Sequence, residues 1–320
     1  MQRKARWGIL STAHINRRLI PEIHASSRGE LLAVASRSPD QAQAYASQWE
    51  IPRSYGSYLE LLADPDIDLV YISLPNDLHA QWTIRALEAG KHVLCEKPLC
   101  LTLEELMRIR NACERTGKVA MEAFMYVHHP QMETFRKVLA ENTIGAVVAM
   151  HSEFAATFSR DAGNYRLDPR RGGGALWDVG VYPVSFFLGF DDSEVELVTG
   201  KAHIVNGIDL SFWGRMDFAS GVSGQFFASF ESEYSTRTAI LGTHGRLDIT
   251  HPFNATDDCQ AWLTRAGATE ALPLPKASLY ACEIEQMHDV LFEQAQPLFS
   301  LNESQRVLGH ILDLRASAGL

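Results

Sequence analysis

The stretch that decides the fold is Trp7–Asn16, with the sequence WGILSTAHIN. Its first four residues are apolar, as in a short buried strand, and a polar turn follows them and leads into a helix. A dinucleotide-binding unit places the glycines of G-x-G-x-x-G here, but Ser11, Ala13 and Asn16 stand at those positions. The stretch predicts a strand–turn–helix unit and leaves open whether the turn binds a cofactor or no ligand.

The first 125 residues alternate between two hydrophobic periods. Apolar runs of strand length recur with helical patterns between them, which is typical of consecutive β–α units. The predicted strands are 7–10, 31–35, 69–74, 92–95 and 119–124, and the predicted helices are 39–49, 57–63, 78–89 and 103–115. Ser38 before Pro39, and Thr102 three residues before Glu105, are of the types that cap helix N-termini. The pattern predicts a Rossmann domain, an α/β fold with a doubly wound parallel sheet, over residues 1–125.

Beyond residue 125, long segments of period two are joined by Asn-Gly, Ser-Gly and His-Gly turns, which indicate antiparallel strands. The predicted strands are 146–158, 194–205, 210–218, 222–230 and 236–241, and the predicted helices are 131–141, 175–188, 279–293 and 303–317. The sequence therefore predicts a second, α+β domain with a mostly antiparallel sheet over residues 126–320.

The composition is that of an ordinary globular protein, since 46% of the 320 residues are hydrophobic and 21% are charged. The formal net charge of −10 and the lack of a Lys/Arg cluster argue against a nucleic-acid partner. No signal-peptide segment follows residues 1–6, and no run of about 18 apolar residues predicts a membrane span. The five cysteines form no C-x-x-C pair, which favours a cytoplasmic protein over a disulfide framework.

The turn after the first strand keeps several features of a phosphate site. Ser11 is small and carries a hydroxyl, Ala13 adds one methyl group, and the next helix presents free N–H groups to an anion. Asn16 is the departure, because it is bulky and polar where a small residue is expected. If the turn binds a cofactor, the contacts are Ser11, Thr12, Ala13, His14 and Ile15.

The end of the second strand bears on the choice of cofactor. The stretch from Leu31 to Ser38 lacks the Asp or Glu that binds a ribose 2′-hydroxyl and repels a 2′-phosphate. Ser36 and Arg37 stand there instead, and Arg37 can pair with a 2′-phosphate while its guanidinium stacks on adenine. We therefore predict NADP, with NAD as the alternative; a solvated surface arginine is the other interpretation of Arg37.

Two further strands end in polar residues at the edge where doubly wound sheets bind ligands. One is followed by SLPNDLH at 73–79, in which Asn76 is either a cofactor contact or a helix cap and His79 either a contact or a first-turn side chain. The other is followed by Lys97 and Pro98. A lysine directly after a buried strand is held at the edge of the sheet, where burial or neighbouring groups can shift its pKa, so Lys97 is a catalytic candidate.

The second catalytic candidate is GGGALWDVGVY at 172–182. If a helix begins near Gly174, Asp178 and Tyr182 are four residues apart and share one face. A carboxylate beside a phenol is a recurrent acid–base arrangement, although such pairs are also common on solvated helices. The glycine run predicts a close approach of the backbone to another group, which favours a functional site.

Together these motifs resemble the Gfo/Idh/MocA (glucose-fructose oxidoreductase) family, and most closely its dimeric dihydrodiol dehydrogenase and NADP-dependent D-xylose dehydrogenase branch. The residues that carry the resemblance are WGIL at 7–10, LPNDLH at 74–79, EKPL at 96–99, EAFM at 122–125 and GGGALWDVGVY at 172–182. The resemblance implies an N-terminal Rossmann domain, an open-faced second sheet that mediates a homodimer or homotetramer, and a cis Lys97–Pro98 bond. The chain departs from the family in its first loop, which has no glycine, and at Val127, where the branch often has arginine.

The resemblance also implies site residues. It places Lys97 and Tyr182 at the nicotinamide and makes Asp178 the carboxylate that orients the substrate. Asn76, His79 and Glu96 are expected around the nicotinamide ribose, with Leu74 and Pro75 in the same loop. Phe158 and Arg166, near the expected mouth of the second domain, are further candidates for substrate contact, with a structural role as the alternative for both.

The reaction implied is reversible hydride transfer between the nicotinamide and a carbinol or carbonyl carbon of a sugar, polyol or cyclic diol. Tyr182 acts as acid and base, and a nearby Lys97 ammonium favours the phenolate and polarises the reacting oxygen. Two alternatives fit the same resemblance, an NAD-retaining glycoside hydrolase and a non-catalytic NADP-binding regulator. The lack of an acidic residue after Ala35 argues against the first, and the presence of both Lys97 and Tyr182 argues against the second.

A metal site is not predicted. His128 and His129 have no Asp, Glu or Cys at ligand spacing nearby. The expected partners are a small-molecule substrate and further copies of the chain, with no nucleic acid and no membrane.

Overall fold

The computed structural model describes residues 3–158, 163–255 and 258–320. The chain forms two compact units, each with its own sheet. Unit 1 comprises Met1–His128 and Tyr280–Gln305, and unit 2 comprises His129–Leu279 and Arg306–Leu320.

Unit 1 is built on a parallel sheet. Its strands are β1 (Ala5–Leu10), β2 (Gly29–Ala35), β3 (Arg53–Tyr55), β4 (Leu69–Ile72), β5 (His92–Glu96) and β6 (Ala120–Ala123). The six strands lie in the order β3-β2-β1-β4-β5-β6, which confirms the predicted Rossmann fold. The strand order reverses between β1 and β4, so their carboxyl ends border the crevice in which such sheets bind ligands.

Helices alternate with these strands, and their ends follow the predicted capping residues. They are α1 (Asn16–Ala25), α2 (Pro39–Gln48), α3 (Tyr58–Ala63), α4 (Asn76–Glu88) and α5 (Leu103–Thr116). Ser38 accepts the backbone N–H of Gln41, and Thr102 accepts that of Glu105. Gly117 ends α5 with a φ of 65°, a left-handed conformation that glycine adopts without steric cost.

Unit 2 is built on a larger and mostly antiparallel sheet. Its helices include α6 (Gln131–Ala140) and α7 (Val181–Phe190), and its strands are β7 (Val147–Ala155), β8 (Val195–Val205), β9 (Ile208–Phe218), β10 (Ser223–Ser229), β11 (Ser235–Gly242), β12 (Gly245–Thr250), β13 (Ala261–Arg265) and β14 (Ala268–Leu272). The strand order is β14-β13-β12-β11-β7-β10-β9-β8, and only the β7–β10 pair among these is parallel. The predicted α+β domain with a mostly antiparallel sheet is confirmed.

The sheet of unit 2 has one buried face and one open face. Phe212 and Phe226 stack on the buried face, with ring centres 6.0 Å apart. On the opposite face, Trp213 is 46% exposed and packs on Phe227 at 5.3 Å. From Phe212 to Phe218 along β9, buried residues alternate with more exposed ones, which is the pattern of a sheet covered on one side.

The division of the chain differs from the predicted boundary at residue 125. The helix α8 (Leu279–Glu293) buries Ile284 and Met287 in the core that also contains Trp7. The indole N–H of Trp7 donates to Nε2 of buried His288 at 3.0 Å. Residues 280–305 therefore belong to unit 1 and not to a 126–320 domain, because their apolar side chains complete the core of the parallel sheet.

The last helix, α9 (Leu301–Ser317), begins in unit 1 and continues in unit 2. None of the helices formed by the described residues is long and apolar enough to cross a membrane.

Candidate active site

The β1–α1 turn, residues 11–15, is held by polar side chains in place of glycines. Ser11 has a φ of 117°, a conformation that L-residues rarely adopt and glycine adopts freely. Its hydroxyl lies 3.0 Å from the carbonyl oxygen of Ser73, to which it donates, and accepts the backbone N–H of Ala13 at 3.1 Å. These bonds connect the turn to the residue that follows β4.

Asn16 completes this network from a fully buried position at the start of α1. Its side-chain amide donates to the carbonyl oxygen of Ser11 at 3.0 Å. Its side-chain oxygen accepts the hydroxyl of Ser73 at 2.6 Å. The residue that departs most from the glycine pattern is therefore the one that satisfies the polar groups of the turn from inside the fold.

The turn fits a pyrophosphate through its backbone. The N–H groups of His14 and Ile15 precede the ten-residue helix α1 and have no acceptor among the described residues. Free N–H groups and the helix dipole together attract phosphate oxygens. The hydroxyl of Ser11 is already bonded within the chain, so we assign Ser11 to the shape of the turn and not to a hydroxyl–phosphate contact.

Ser36 and Arg37 lie directly after β2, where a ribose 2′-substituent is bound in doubly wound folds. Ser36 is buried, and its hydroxyl accepts the backbone N–H of Ser38 at 3.3 Å. Arg37 is exposed, and its charge acts to lower the pKa of the nearby Tyr58 in α3, against the larger effect of burial. An exposed guanidinium without a neighbouring carboxylate in this loop fits a 2′-phosphate.

The loop between β4 and α4 and the first turn of α4 contain four of the predicted cofactor contacts. Leu74 and Asn76 are buried, and Pro75 is the N-cap of α4. His79 is 1% exposed, with Nδ1 2.7 Å from the carbonyl oxygen of Pro98 and Nε2 2.6 Å from that of Leu74. Burial lowers the pKa of His79, so its neutral ring donates to one carbonyl at a time. His79 thereby links this loop to the loop after β5.

Lys97 is half-buried, directly after β5, and its peptide bond to Pro98 is cis, as the resemblance implies. The next residue, Leu99, donates its backbone N–H to Oε1 of Glu122 at 2.9 Å. The other carboxylate oxygen of Glu122 accepts the hydroxyl of Ser304 at 2.6 Å. Burial raises the pKa of Glu122 to about 6. A buried carboxyl group thus holds the loop that carries the predicted catalytic lysine.

Glu96 is part of a buried acidic group. The hydroxyl of Tyr71 donates to Oε1 of Glu96 at 2.5 Å. Glu283, from α8, is 1% exposed, and its burial together with the charge of Glu96 raises the pKa of Glu283 well above its usual range. The predicted site residue Glu96 therefore has neighbours that lie far away in sequence, which no local motif indicates.

In unit 2 the glycine run packs against atoms of the chain itself. Gly174 has a φ of 121°, and a Cβ there would overlap the carboxylate of Asp209. A Cβ at Gly173 would lie 2.6 Å from the carbonyl oxygen of Arg166. The close approach that the glycines predict is present, and the neighbouring groups belong to the protein.

The segment after the glycines differs from the predicted single helix over 175–188. Leu176–Gly180 form a π-helix, and the regular α7 begins only at Val181. Because π-helical hydrogen bonds run from residue i to i+5, a spacing of four does not by itself place Asp178 and Tyr182 on one face. Single π-helical turns within longer helices occur frequently at functional sites.

The three predicted substrate residues lie together. Nε of Arg166 donates to Oδ2 of Asp178 at 2.8 Å, and the guanidinium carbon lies 5.3 Å from the ring centre of Phe158. The side chain of Asp178 is 8% exposed and that of Arg166 is 30% exposed. The arginine fixes the orientation of the carboxylate, and the aromatic ring supports the arginine.

Tyr182 lies in the first turn of α7 and is 5% exposed. Its ring packs against Phe154 at 5.1 Å and Phe253 at 5.4 Å. An aromatic surrounding of this kind fixes the direction of the phenol. Lys97 belongs to unit 1 and Tyr182 to unit 2.

Among the described residues, no group of three or more His, Cys, Asp and Glu side chains could hold a metal ion. His129 places its Nε2 3.1 Å from the carbonyl oxygen of Ala277, inside unit 2.

Sequence reasoning missed the residues that hold the site in place. Asn16 was unexplained, and Ser73, Glu122, Ser304 and Asp209 were not selected. One signal was available for Asn16: a turn that lacks glycine needs hydrogen bonds in its place, and a buried amide can supply them. The other contacts join distant parts of the chain and have no local signature.

A doubly wound parallel sheet with a turn at its switch point that fits a pyrophosphate, followed by a second unit in which Arg166 pairs with the buried Asp178, is typical of dinucleotide-dependent α/β enzymes. The chain belongs to the Gfo/Idh/MocA family. Residues 5–124 match the family model described as the oxidoreductase family with an NAD-binding Rossmann fold, and residues 132–248 match the C-terminal domain of the same family.

Named relatives agree with this family. The chain is 36% identical over 318 residues to a D-xylose 1-dehydrogenase (NADP(+)) of Haloferax volcanii, covering 98% of this chain and 97% of that protein. It is 30% identical over 277 residues to a trans-1,2-dihydrobenzene-1,2-diol dehydrogenase of Bos taurus, covering 85% and 81%. A crystal structure of KijD10, a 3-ketoreductase from Actinomadura kijaniata with NADP and TDP-benzene, superimposes with a TM-score of 0.93 at 28% identity, covering 98% of both chains.

Proposed function

We propose that the chain catalyses reversible hydride transfer between NADP and a carbinol or carbonyl carbon of a sugar, a polyol or a cyclic diol. The observation that carries the proposal is that one chain has Lys97 on the loop after β5, a buried Asp178 in the π-helix and a buried Tyr182 in the first turn of α7. A non-catalytic relative has no need of all three.

The enzyme class and the cofactor are confirmed by the relatives, which are dehydrogenases and reductases named or solved with NADP. Within this chain, the exposed Arg37 and the missing carboxylate after β2 support NADP over NAD. We propose that the pyrophosphate binds the β1–α1 turn and that Ser36 and Arg37 bind the 2′-phosphate. Leu74, Pro75, Asn76 and Glu96 then border the nicotinamide ribose, with His79 supporting their loops.

Bound NADP accepts or supplies the hydride. We assign the proton to Tyr182, which removes it from the substrate hydroxyl in oxidation and returns it in reduction. A free phenol titrates only at about pH 10, so it needs a nearby cation to act as a base at neutral pH. Lys97 is proposed to supply this charge, which stabilises both the phenolate and the reacting oxygen. Glu122 holds the loop that aims the lysine.

Asp178 is proposed to bind a second hydroxyl, next to the one that reacts. Its carboxylate is held by Arg166, so it presents its acceptors in a fixed direction. Phe158 supplies apolar surface beside this pair. A substrate with two neighbouring oxygens thus makes one contact with Tyr182 and one with Asp178. Xylose and a 1,2-diol, the substrates in the names of two relatives, share that feature.

The test is a screen of sugars, polyols and cyclic diols with NADP and NAD in parallel, followed by absorbance at 340 nm. We expect turnover with NADP and a substrate that carries neighbouring hydroxyls. Activity with NAD alone would overturn the assignment of Arg37. Hydrolysis of a glycoside with no net NADPH would support the alternative of an NAD-retaining hydrolase.

The assignment of Tyr182 is tested on the substrate found in that screen. Tyr182→Phe is expected to lower kcat at least 100-fold and to leave NADP binding within about twofold, since the phenol supplies the proton and not the cofactor contacts. Tyr234→Phe is the control, because Tyr234 is 49% exposed in the same unit. Undiminished turnover of Tyr182→Phe contradicts the mechanism.

We also propose that the open face of the unit 2 sheet joins two copies of the chain. The exposed Trp213 and its neighbour Phe227 form an aromatic patch there, and Leu197 on β8 is 51% exposed. Trp213→Glu is expected to shift the mass in sedimentation from dimer or tetramer towards monomer, because it places a charge in the interface. Leu298→Glu, at an exposed site of unit 1, is the control. Identical masses for wild type and Trp213→Glu would exclude this interface.

A cytoplasmic location is proposed from the thiols. All five cysteines are free, as expected where thiols are kept reduced. Fractionation of expressing cells tests it.

A further inference from the structure

Asp209, near the start of β9, is a buried acidic residue outside the predicted site. Only 1% of it is exposed. Its Oδ2 accepts the backbone N–H of Leu176 at 2.7 Å, and the adjacent backbone N–H of Ala175 acts to lower its pKa. These N–H groups lie at the start of the π-helix, so a carboxylate from a neighbouring strand takes the place of a helix cap.

The glycine run is shaped around this contact. Gly174 leaves the space that the Asp209 carboxylate occupies, and any Cβ at this position would overlap it. The carbonyl oxygen of Gly174 in turn accepts the N–H of Asp178 at 3.1 Å. The chain from Gly174 to Asp178 is therefore fixed at both ends, by the carboxylate of Asp209 and by the first bond of the helical segment.

The electrostatic surroundings explain why the carboxylate is tolerated there. Burial raises the pKa of Asp209 to about 6, and the backbone N–H groups and the charge of Arg315 act in the opposite direction. The guanidinium carbon of Arg315 also lies 5.5 Å from the ring centre of Trp177, which is a residue of the π-helix. Hydrogen bonds from backbone N–H groups to a buried carboxylate are strong and fix the positions of both partners. Removing the carboxylate would leave those donors unpaired, which costs free energy.

We propose that Asp209 is a positioning residue for catalysis: it fixes the start of the π-helix and thereby the directions of Asp178 and Tyr182. The inference rests on the proposed function of those two residues. Asp209 itself touches neither substrate nor cofactor in this scheme.

The test compares Asp209→Asn and Asp209→Ala with wild type, and uses Asp191→Asn as the matched control. Asp191 also accepts backbone and hydroxyl donors in unit 2, but it follows the end of α7. Hydrogen exchange by mass spectrometry follows the peptide covering residues 175–182. Steady-state kinetics with NADP and the screened substrate gives kcat and KM, and fluorescence titration gives the NADP affinity.

We expect amide exchange in residues 175–178 to accelerate at least tenfold in Asp209→Ala and less in Asp209→Asn, which keeps one acceptor oxygen. We expect kcat to fall in the same order, by at least tenfold for alanine, with the NADP affinity within twofold. Asp191→Asn is expected to change neither quantity. A general loss of structure would instead accelerate exchange throughout unit 2, and that result overturns the inference.

The exchange measurement separates this inference from the proposed function. Unchanged exchange at 175–178 in Asp209→Ala refutes the positioning role, whatever the activity. Faster local exchange with an unchanged kcat likewise refutes it, because ordering of the segment would then not affect the chemistry. Undiminished turnover of Tyr182→Phe refutes the proposed function alone.

Discussion

Ser11 in unit 1 and Gly174 in unit 2 have nearly the same positive φ, 117° and 121°, yet only one of them is glycine. At Ser11 the side chain is accommodated and bonded to Ser73 and Ala13. At Gly174 the corresponding space is filled by the carboxylate of Asp209. The two turns therefore solve the same conformational problem with different chemistry.

The difference shows that an unusual φ is not enough to require glycine. A non-glycine residue in a sparsely populated conformation costs about 1–3 kcal/mol, and hydrogen bonds to the surrounding structure can offset that cost. Ser11, Ser73 and Asn16 provide such bonds. Where the position of the missing Cβ is already occupied, no set of hydrogen bonds helps, because the obstacle is steric.

The largest expected effect comes from filling the occupied position. Gly174→Ala forces both a disfavoured φ and an overlap with Asp209, and we expect it to lower the free energy of unfolding by about 3 kcal/mol or more. Urea unfolding measures this. Gly189→Ala is the control, since it lies inside α7 with no atom within 4 Å of the added Cβ, and we expect about 0.5–1 kcal/mol of stabilisation. Equal effects of the two substitutions would contradict the interpretation that Gly174 is required because Asp209 occupies the space of a Cβ.

The next largest effect is expected from removing the hydrogen bonds that hold the β1–α1 turn. Asn16→Ala leaves the carbonyl oxygen of Ser11 and the hydroxyl of Ser73 without their buried partner, and we expect about 2–3 kcal/mol of destabilisation by urea unfolding. We also expect the NADP affinity to fall at least tenfold, because the turn loses its fixed shape. Asn302→Ala, in an exposed contact with Arg110, serves as the control. A stable Asn16→Ala protein with normal NADP affinity would show that the network does not hold the turn.

Glu122 extends the comparison to pH. The loop after β5 is held by a carboxyl group that can bind a proton, whereas a turn that depends on glycine contains no titrating group. Burial raises the pKa of Glu122 to about 6, above the usual value of 4.5. A raised folded-state pKa means that the folded protein binds the proton more tightly. The contribution of Glu122 to stability is therefore greatest at low pH and falls by about 2 kcal/mol as pH rises from about 4.5 to 6.

Unfolding of wild type and Glu122→Gln at several pH values checks this prediction. We expect the free-energy difference between the two proteins to change by about 2 kcal/mol across that window. Glu133→Gln, at a side chain that is 81% exposed, should produce no comparable change. A difference that is independent of pH contradicts the assignment of the raised pKa to this carboxyl group.

The smallest effect is expected from restoring a glycine. Ser11→Gly removes two hydrogen bonds but relieves the disfavoured φ, so we expect a net change within about 1 kcal/mol. The informative measurement is the double variant: adding Ser11→Gly to Asn16→Ala should recover part of the lost stability and NADP affinity, because glycine holds this φ without help. If the loss of stability in the double variant equals the sum of the losses in the two single variants, the hydrogen bonds and the φ of Ser11 are not coupled.

The sequence patterns located most elements of both units because each pattern reflects the local geometry of one element. The caps at Ser38 and Thr102 act within one helical turn, and the buried strands of unit 1 are continuous apolar runs. The predicted strand over 69–74 ends at Ile72, because Ser73 turns aside to bond Ser11 and Asn16. β3 and β12–β14 were not predicted, since short strands are stabilised by their neighbours in the sheet more than by their own residues.

The candidate site likewise has parts that local sequence predicts and parts that depend on residues distant in the chain. Local motifs selected Lys97 and Asp178, whereas Arg166 and Phe158 were named only from their expected place near the mouth of the second domain. The structure brings Asp178, Arg166 and Phe158 together. The π-helical turn was not predictable, because it depends on a carboxylate that arrives from β9. The position of α8 in unit 1 was not predictable either, because its buried residues contact strands nearly the whole chain away.

By itself, the sequence determined the fold class, the family and the NADP cofactor, and it selected the side chains that we propose to be reactive, because those properties belong to short stretches and their periodicity. The tertiary structure decided what holds those side chains in place. Asn16 is bonded to Ser73, Glu122 to Leu99 and Asp209 to Leu176, each across more than twenty residues of chain. Such bonds form only when folding brings distant residues together and excludes water, so a linear pattern does not show which residues are the partners.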